Sequence, residues 1–217
     1  MKKVKYYLCI RFVMVQFDLR GFSSGKSKVF LLKKVEEDIL KNLVCPLKDS
    51  ASNLVFGKGN PDADILFIGE APGAKEDLQG VPFVGSAGRE LDKLLKGIGL
   101  SLDDVYIANI LKYRPPSNRN PSVDEIKKHT PFLLRQIEII EPKIICTLGN
   151  YATKFVLAGF KVEGMNKIDG ISKIHGVVHK TDDLLVVPLY HPAAMLYNPK
   201  LRGVLEKDFV LLKKLLG

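Results

Sequence analysis

The 217-residue chain has three cysteines, Cys9, Cys45 and Cys146, and no C-x-x-C pair. An odd, dispersed set of thiols excludes a disulfide framework and fits a reducing compartment. No apolar run is long enough to span a bilayer. The one stretch that imitates a signal peptide, Tyr6–Phe17, follows lysines but is broken by Arg11, and no small-residue cleavage site comes after it. These absences lead to the expectation of a soluble, cytoplasmic protein with no membrane partner. There is also no internal repeat and no low-complexity segment. With 46% hydrophobic and 26% charged residues, the composition disfavours disorder, collagen and coiled coil, and it supports a sizeable core.

Acidic residues are scarce in one place. Residues 1–35 hold nine Lys/Arg against the single acid Asp18, whereas the rest of the chain is nearly balanced, and the net charge is +9. Such a surplus favours a polyanionic partner without proving one. Two readings of residues 1–35 stay open. One is a solvated extension, with Met14 as a second candidate start. The other is an arm that touches the polyanion.

From residue 28 onward, apolar spacing alternates between helical and strand-like. Helices are expected over 28–43, 87–98, 123–140, 150–158 and 203–216. Strands are expected at Ile65–Ile68, Val105–Ile110, Lys143–Leu148 and Leu184–Leu189, the last closing an irregular hairpin over 171–190. Ser122 is placed to cap the helix at 123, with Asp124 and Glu125 in its first turn. This rhythm predicts an α/β fold, a three-layer α/β/α sandwich around a central, mostly parallel four-stranded sheet. The expected organisation is a basic extension, 1–35, and one domain, 36–217. In such sheets ligands bind beyond the carboxyl ends of the strands. Segments rich in polar, Gly and Pro residues follow three of those ends, at 69–85, 109–120 and 190–199.

Two short motifs are weak. Gly21-Phe22-Ser23-Ser24-Gly25 fits the G-x-S-x-G nucleophile elbow, and Gly21 to Ser27 is one residue short of a phosphate-binding loop. A flexible basic loop accounts for both. Three longer blocks are informative. Gly69-Glu70-Ala71-Pro72-Gly73-Ala74-Lys75-Glu76-Asp77 continues to Gly80-Val81-Pro82-Phe83-Val84-Gly85-Ser86-Ala87-Gly88. Its glycines offer backbone amides and close approach directly after a strand. The second block is Asn109 followed by Lys112-Tyr113-Arg114-Pro115-Pro116-Ser117-Asn118-Arg119, and the third is Tyr190-His191-Pro192-Ala193-Ala194-Met195-Leu196.

Together these blocks resemble the family 4, thermophile-type uracil-DNA glycosylases, from about Val44 to the C-terminus. The resemblance implies hydrolysis of the N-glycosidic bond of deoxyuridine in DNA, with the nucleotide flipped out of the stack. Uracil-containing DNA is the implied partner, the expected location is cytoplasmic at the nucleoid, and a monomer is expected. Repair or clamp partners are not legible. A module of the same fold that binds uracil-DNA without efficient turnover is the alternative.

The resemblance also implies roles. Phe83 is the stacking platform, or else a core aromatic. Asn109 reads uracil, or else is a strand-end turn residue. His191 is the electrophile at uracil O2. Glu70 stabilises the sugar or the attacking water. Glu76 lines the pocket near the base's 5-position. Both acids are alternatively surface or capping groups. Ala71 stands in the uracil-binding block where related glycosylases outside the family carry an aspartate, so water activation falls to another group. Asn118 holds the water or a phosphate. Lys112, Arg114 and Arg119 are phosphate contacts, or else a solvated basic loop. Met195 and Leu196 form the wedge that fills the vacated stack, or else open the last helix as core residues.

The chain departs from the family at one feature. The resemblance implies a [4Fe–4S] cluster on four cysteines, and the matching positions are Asn42, Cys45, Tyr113 and His129. Only Cys45 is a thiol, and a cluster needs four strong ligands. The expectation is therefore no cluster, no metal and no other cofactor, with Tyr113 and His129 filling the space and the β-like segment 6–17 adding a compensating strand. A branch of the superfamily bonds covalently to DNA through a histidine in the loop after the second strand. Arg114–Pro121 has no histidine, so turnover is expected. His175 belongs to the hairpin, as a DNA contact or an ordinary exposed residue.

Overall fold

The computed structural model describes residues 27–180 and 184–216. The expected strand at 6–17, the glycine motifs of 21–26 and Cys9 lie outside the described residues.

Helix α1 (Lys28–Asn42) starts at the cap Ser27, whose side chain accepts from the Phe30 N–H. A short helix α2 (Pro46–Ser50) follows. Strands β1 (Lys58–Gly59) and β2 (Ile65–Gly69) come next, then helices α3 (Ala74–Gln79) and α4 (Ser86–Gly97). After β3 (Val105–Asn109) runs the long helix α5 (Val123–Ile140), closed at its start by a Ser122/Glu125 capping box. Then follow β4 (Ile144–Leu148), α6 (Asn150–Leu157) and α7 (Ile171–Ile174). The chain ends through β5 (His179–Lys180), β6 (Leu185–Leu189), α8 (Ala194–Tyr197) and α9 (Arg202–Leu216). No helix among the described residues is long and apolar enough to cross a membrane.

The sheet corrects the expected fold. Among the described residues it has six strands, in the order β1-β3-β2-β4-β6-β5, and it is mixed. β3, β2, β4 and β6 are mutually parallel, while β1 and β5 pair antiparallel at the two edges. Each edge strand has two residues, too few for any period-2 signal to emerge. The domain boundary expected at 35/36 cuts α1, whose Leu32, Val35 and Ile39 are all buried.

Side chains alternate strictly across the parallel strands. Leu66, Ile68, Tyr106, Ala108 and Ile145 face α1, α5 and α6. Ile65, Phe67, Val105, Ile107 and Cys146 face α4 and α9. Two apolar cores thus clamp the sheet from either side. Parallel pairing then brings all four carboxyl ends to one edge, with Gly69 beside Asn109 and Leu148 beside Leu189.

Candidate functional site

A cavity of about 610 Å³ opens at that edge, lined among others by Glu70, Ala71, Phe83, Asn109, Asn118 and His191. Four features fix Phe83 there. Phe83 has φ of 53°, a left-handed conformation costly for a bulky residue. The Glu76 carboxylate accepts from the next two amides, Val84 N–H at 3.0 Å and Gly85 N–H at 2.7 Å. Lys58 Nζ donates to the Phe83 carbonyl at 3.3 Å. Gly88 packs so closely beneath that a Cβ there would stand 1.9 Å from the same oxygen. Glu76 is thus both a wall of the cavity and the clamp of the loop that presents Phe83.

Asn109 ends β3 and is 2% exposed. Among the described residues its amide has no hydrogen-bond partner, so donor and acceptor are both free for a ligand. Gly69 makes this possible. A Cβ at Gly69 would lie 2.3 Å from Asn109 Oδ1 and 3.3 Å from the Phe83 ring. One missing methyl therefore seats the amide and the ring side by side. The turn after β3 is locked to the turn after β2 by Ile110 N–H to Gly69 O and Leu111 N–H to Glu70 O.

His191 follows β6. Its ring lies 5.8 Å from the Phe83 ring, centroid to centroid, at 29°. Nδ1 accepts from the Ala193 N–H at 3.2 Å, which places the proton on Nε2. Burial pulls its pKa down to about 4, against a weaker opposing pull from the Glu76 charge, so the ring is neutral at pH 7. Gly149, with φ of 90°, comes close enough that a Cβ would sit 3.2 Å from the His191 Cβ. His175, at the end of α7 rather than in a hairpin strand, shares a hydrogen bond with Asp208 of α9 at 2.8 Å and packs on Tyr190.

Glu70 is half-buried at the cavity wall, and burial holds its carboxyl above the usual range. Ala71 lines the cavity with a methyl group. Asn118 sits in an exposed turn with Ser117, both in the left-handed region, and accepts from Arg114 Nε at 2.9 Å. Arg119 forms a two-pronged pair with Glu125, at 2.6 and 2.9 Å. That contact, foremost, holds the Glu125 carboxyl down at about 2. Arg119 therefore braces the loop against α5 as well as edging the cavity.

Two assignments are corrected. Lys112 is no phosphate contact: it is 0% exposed, with Nζ donating to the Asn109 carbonyl and to Gln136. Met195 is no wedge: it is 4% exposed and packs in the core beside α9. Leu196 is 46% exposed and the neighbouring Tyr197 88%, so the protruding tip is shifted by one residue. In a one-turn helix the inward and outward positions alternate faster than sequence pattern can assign. Lys75 and Arg89, unremarked in the sequence, also edge the cavity. Gly69 was legible as a close-approach glycine after a strand and Glu125 as a first-turn acid of the capped helix, whereas nothing in the sequence marked Gly149.

The four cluster-matching positions have other occupations. The Asn42 amide donates to Asp38. Tyr113 is buried edge-on to His129, with rings 6.2 Å apart. His129 Nδ1 accepts the Lys112 N–H at 3.0 Å, and its Nε2 is buried with no hydrogen-bond partner among the described residues. Cys45 is a buried free thiol.

The family pattern described as "Uracil DNA glycosylase superfamily" matches residues 56–213. A type-4 uracil-DNA glycosylase of Sulfurisphaera tokodaii is 46% identical over 187 residues, covering 85% of this chain and 84% of the relative. A type-4 uracil-DNA glycosylase of Archaeoglobus fulgidus is 42% identical, covering 86% and 94%. One from Thermotoga maritima is 41% identical, covering 82% and 91%.

Proposed function

This chain belongs to the uracil DNA glycosylase superfamily, and on that premise we propose how its own residues act. The protein is a monofunctional DNA glycosylase. It hydrolyses the N-glycosidic bond of deoxyuridine in DNA, releases uracil and leaves an abasic site for base excision repair.

The observation that carries the site assignment is the convergence of Phe83, Asn109 and His191 on one cavity. A flipped uracil stacks on Phe83, an interaction worth about 1–3 kcal/mol. The free Asn109 amide donates to O4 and accepts from N3–H, a pattern that cytosine reverses. The neutral His191 donates Nε2–H to O2 as negative charge collects there, and no proton needs to leave the ring. Glu70 faces the opening sugar, where a carboxylate stabilises an oxocarbenium-like centre or steers water toward it. Ala71 cannot orient water, which puts that task on Glu70 with Asn118. Glu76 walls the side assigned to the base's 5-position. Arg114 and Arg119 contact the phosphates, and Leu196 enters the vacated stack.

We further propose that the chain works without an iron–sulfur cluster. The donor set does not fit one: it offers one thiol, a surface amide already bonded, a phenol and an imidazole with one nitrogen engaged. Four strong ligands are required. An absorption band at roughly 400 nm in the pure protein would contradict this.

The function is tested by incubating the protein with a uracil-containing oligonucleotide, followed by alkali. Strand cleavage at the uracil is expected, and a retarded, uncleaved band would instead identify a binding module. Asn109→Asp is expected to add activity on cytosine in the same assay.

A further inference from the structure

Lys112 stands out among the titratable groups that the mechanism leaves unused. It is 0% exposed, and among the described residues no carboxylate pairs with it. Its Nζ instead meets three neutral acceptors: the Asn109 carbonyl at 2.8 Å, Gln136 Oε1 at 2.5 Å and the Phe56 carbonyl at 3.5 Å. Gln136, also fully buried, donates from Nε2 to the same Phe56 carbonyl at 3.1 Å. The main chain of Lys112 is fixed as well. Its N–H is held by His129 Nδ1, and its carbonyl accepts the Val55 N–H at 2.9 Å.

Burying an ammonium without a counter-charge is expensive, and an apolar side chain of similar volume is often as stable or more so. Burial accordingly pulls the Lys112 pKa down to about 7. Stability alone therefore gives a weak reason for a lysine here. Geometry gives a stronger one. The amine joins the end of β3, the segment entering β1 and the C-terminal half of α5 at one point. It does so on the main chain of the residue whose amide faces the cavity.

We propose that Lys112 is a positioning residue for base recognition: its side chain, steadied by Gln136, fixes the Asn109 backbone and so aims the amide at the flipped base. The inference rests on the glycosylase reading above and deepens it. It also accounts for the placement of the lysine three residues after Asn109, where the chain turns and the side chain doubles back beneath the reader. Lys112 touches neither the base nor the reacting atoms.

The test is single-turnover base release by the full-length chain from oligonucleotides carrying uracil or cytosine, with melting temperature measured for each protein. Wild type is compared with Lys112→Met and Gln136→Met. Thr147→Val, which breaks the buried Thr147–Thr153 hydroxyl pair and shares no hydrogen bond with this network, serves as a reference for stability loss alone. Misplacement on the scale of 1 Å costs about 100-fold, so Lys112→Met is expected to lose about 10- to 100-fold in rate on uracil. Its preference for uracil over cytosine narrows, and Gln136→Met moves both in the same sense by less. Thr147→Val keeps rate and preference at the wild-type values. A folded Lys112→Met with wild-type rate and preference overturns the inference. If that variant does not fold, an unaltered Gln136→Met overturns it instead. Failure of both to fold would assign the network to the core alone and overturn it too. A wild-type protein that releases no uracil would count against the glycosylase reading itself, which keeps the two failures apart.

Discussion

At His191 the proton sits on Nε2 because Nδ1 is taken by the Ala193 amide, and burial keeps the ring neutral. This arrangement predicts an unusual pH response. A histidine acting as a charged electrophile would lose activity as pH rises through about 6.5. A neutral one holds its rate from pH 8 down to 6 and weakens only as pH approaches its own value near 4. The Glu70 carboxyl, raised by burial, must stay ionised and so adds to the same acid limb; Glu70→Gln removes that share, leaving the His191 part, and takes away most of the rate. His191→Ala is expected to lower kcat about 100- to 1,000-fold, the usual effect of deleting one transition-state donor. Single-turnover kinetics across pH 4–8 check both points. His191, Phe83 and Asn109 were legible as candidates because each lies in a dense polar or glycine-rich block after a strand. Lys112 was not, because a lysine in a basic loop reads as solvent-facing, and only tertiary acceptors such as Gln136 can draw it inside.

Among the elements, the loop between α3 and α4 does the most local work. It forces Phe83 into a left-handed backbone and holds it with the Glu76 carboxylate across the amides at the start of α4. Glu76→Ala leaves two amides without their acceptor, at about 1–3 kcal/mol of stability. The Phe83 platform loosens with it, and a rise in KM larger than the fall in kcat is expected from steady-state kinetics on uracil-DNA. The helices of this region were readable in kind, since apolar spacing located α4, α5, α6 and α9 within a residue or two. The edge strand β1 and the single-turn α8 were not, and β5 was legible only as the unplaced first arm of the hairpin over 171–190, because elements of two to four residues carry no period. Their existence depends on the neighbour that pairs or packs with them, as Lys58 pairs Ile107 and His179 pairs Val186.

For the whole molecule, the buried histidines contribute to the acid stability, alongside the paired Glu125 carboxylate. Burial drives the His129 pKa down to about 3 and that of His191 to about 4, both below the unfolded value of about 6.5. On acidification the unfolded chain takes up these protons first. The stability they contribute is thus complete above about pH 6.5 and is lost as pH falls toward 4 and then 3. Melting temperature is expected to decline over that window, and His129→Phe to flatten the decline. A two-sided core supports all of this: the parallel strands aim three loops at one opening, and alternate residues anchor the helices on either face. That opening is checked most directly by diffraction from crystals of the protein soaked with uracil. The ring is expected to lie flat on Phe83, with its N3–O4 edge on the Asn109 amide and O2 within about 3 Å of His191 Nε2. Uracil bound elsewhere, or seated in the cavity without touching either polar group, would contradict this assignment.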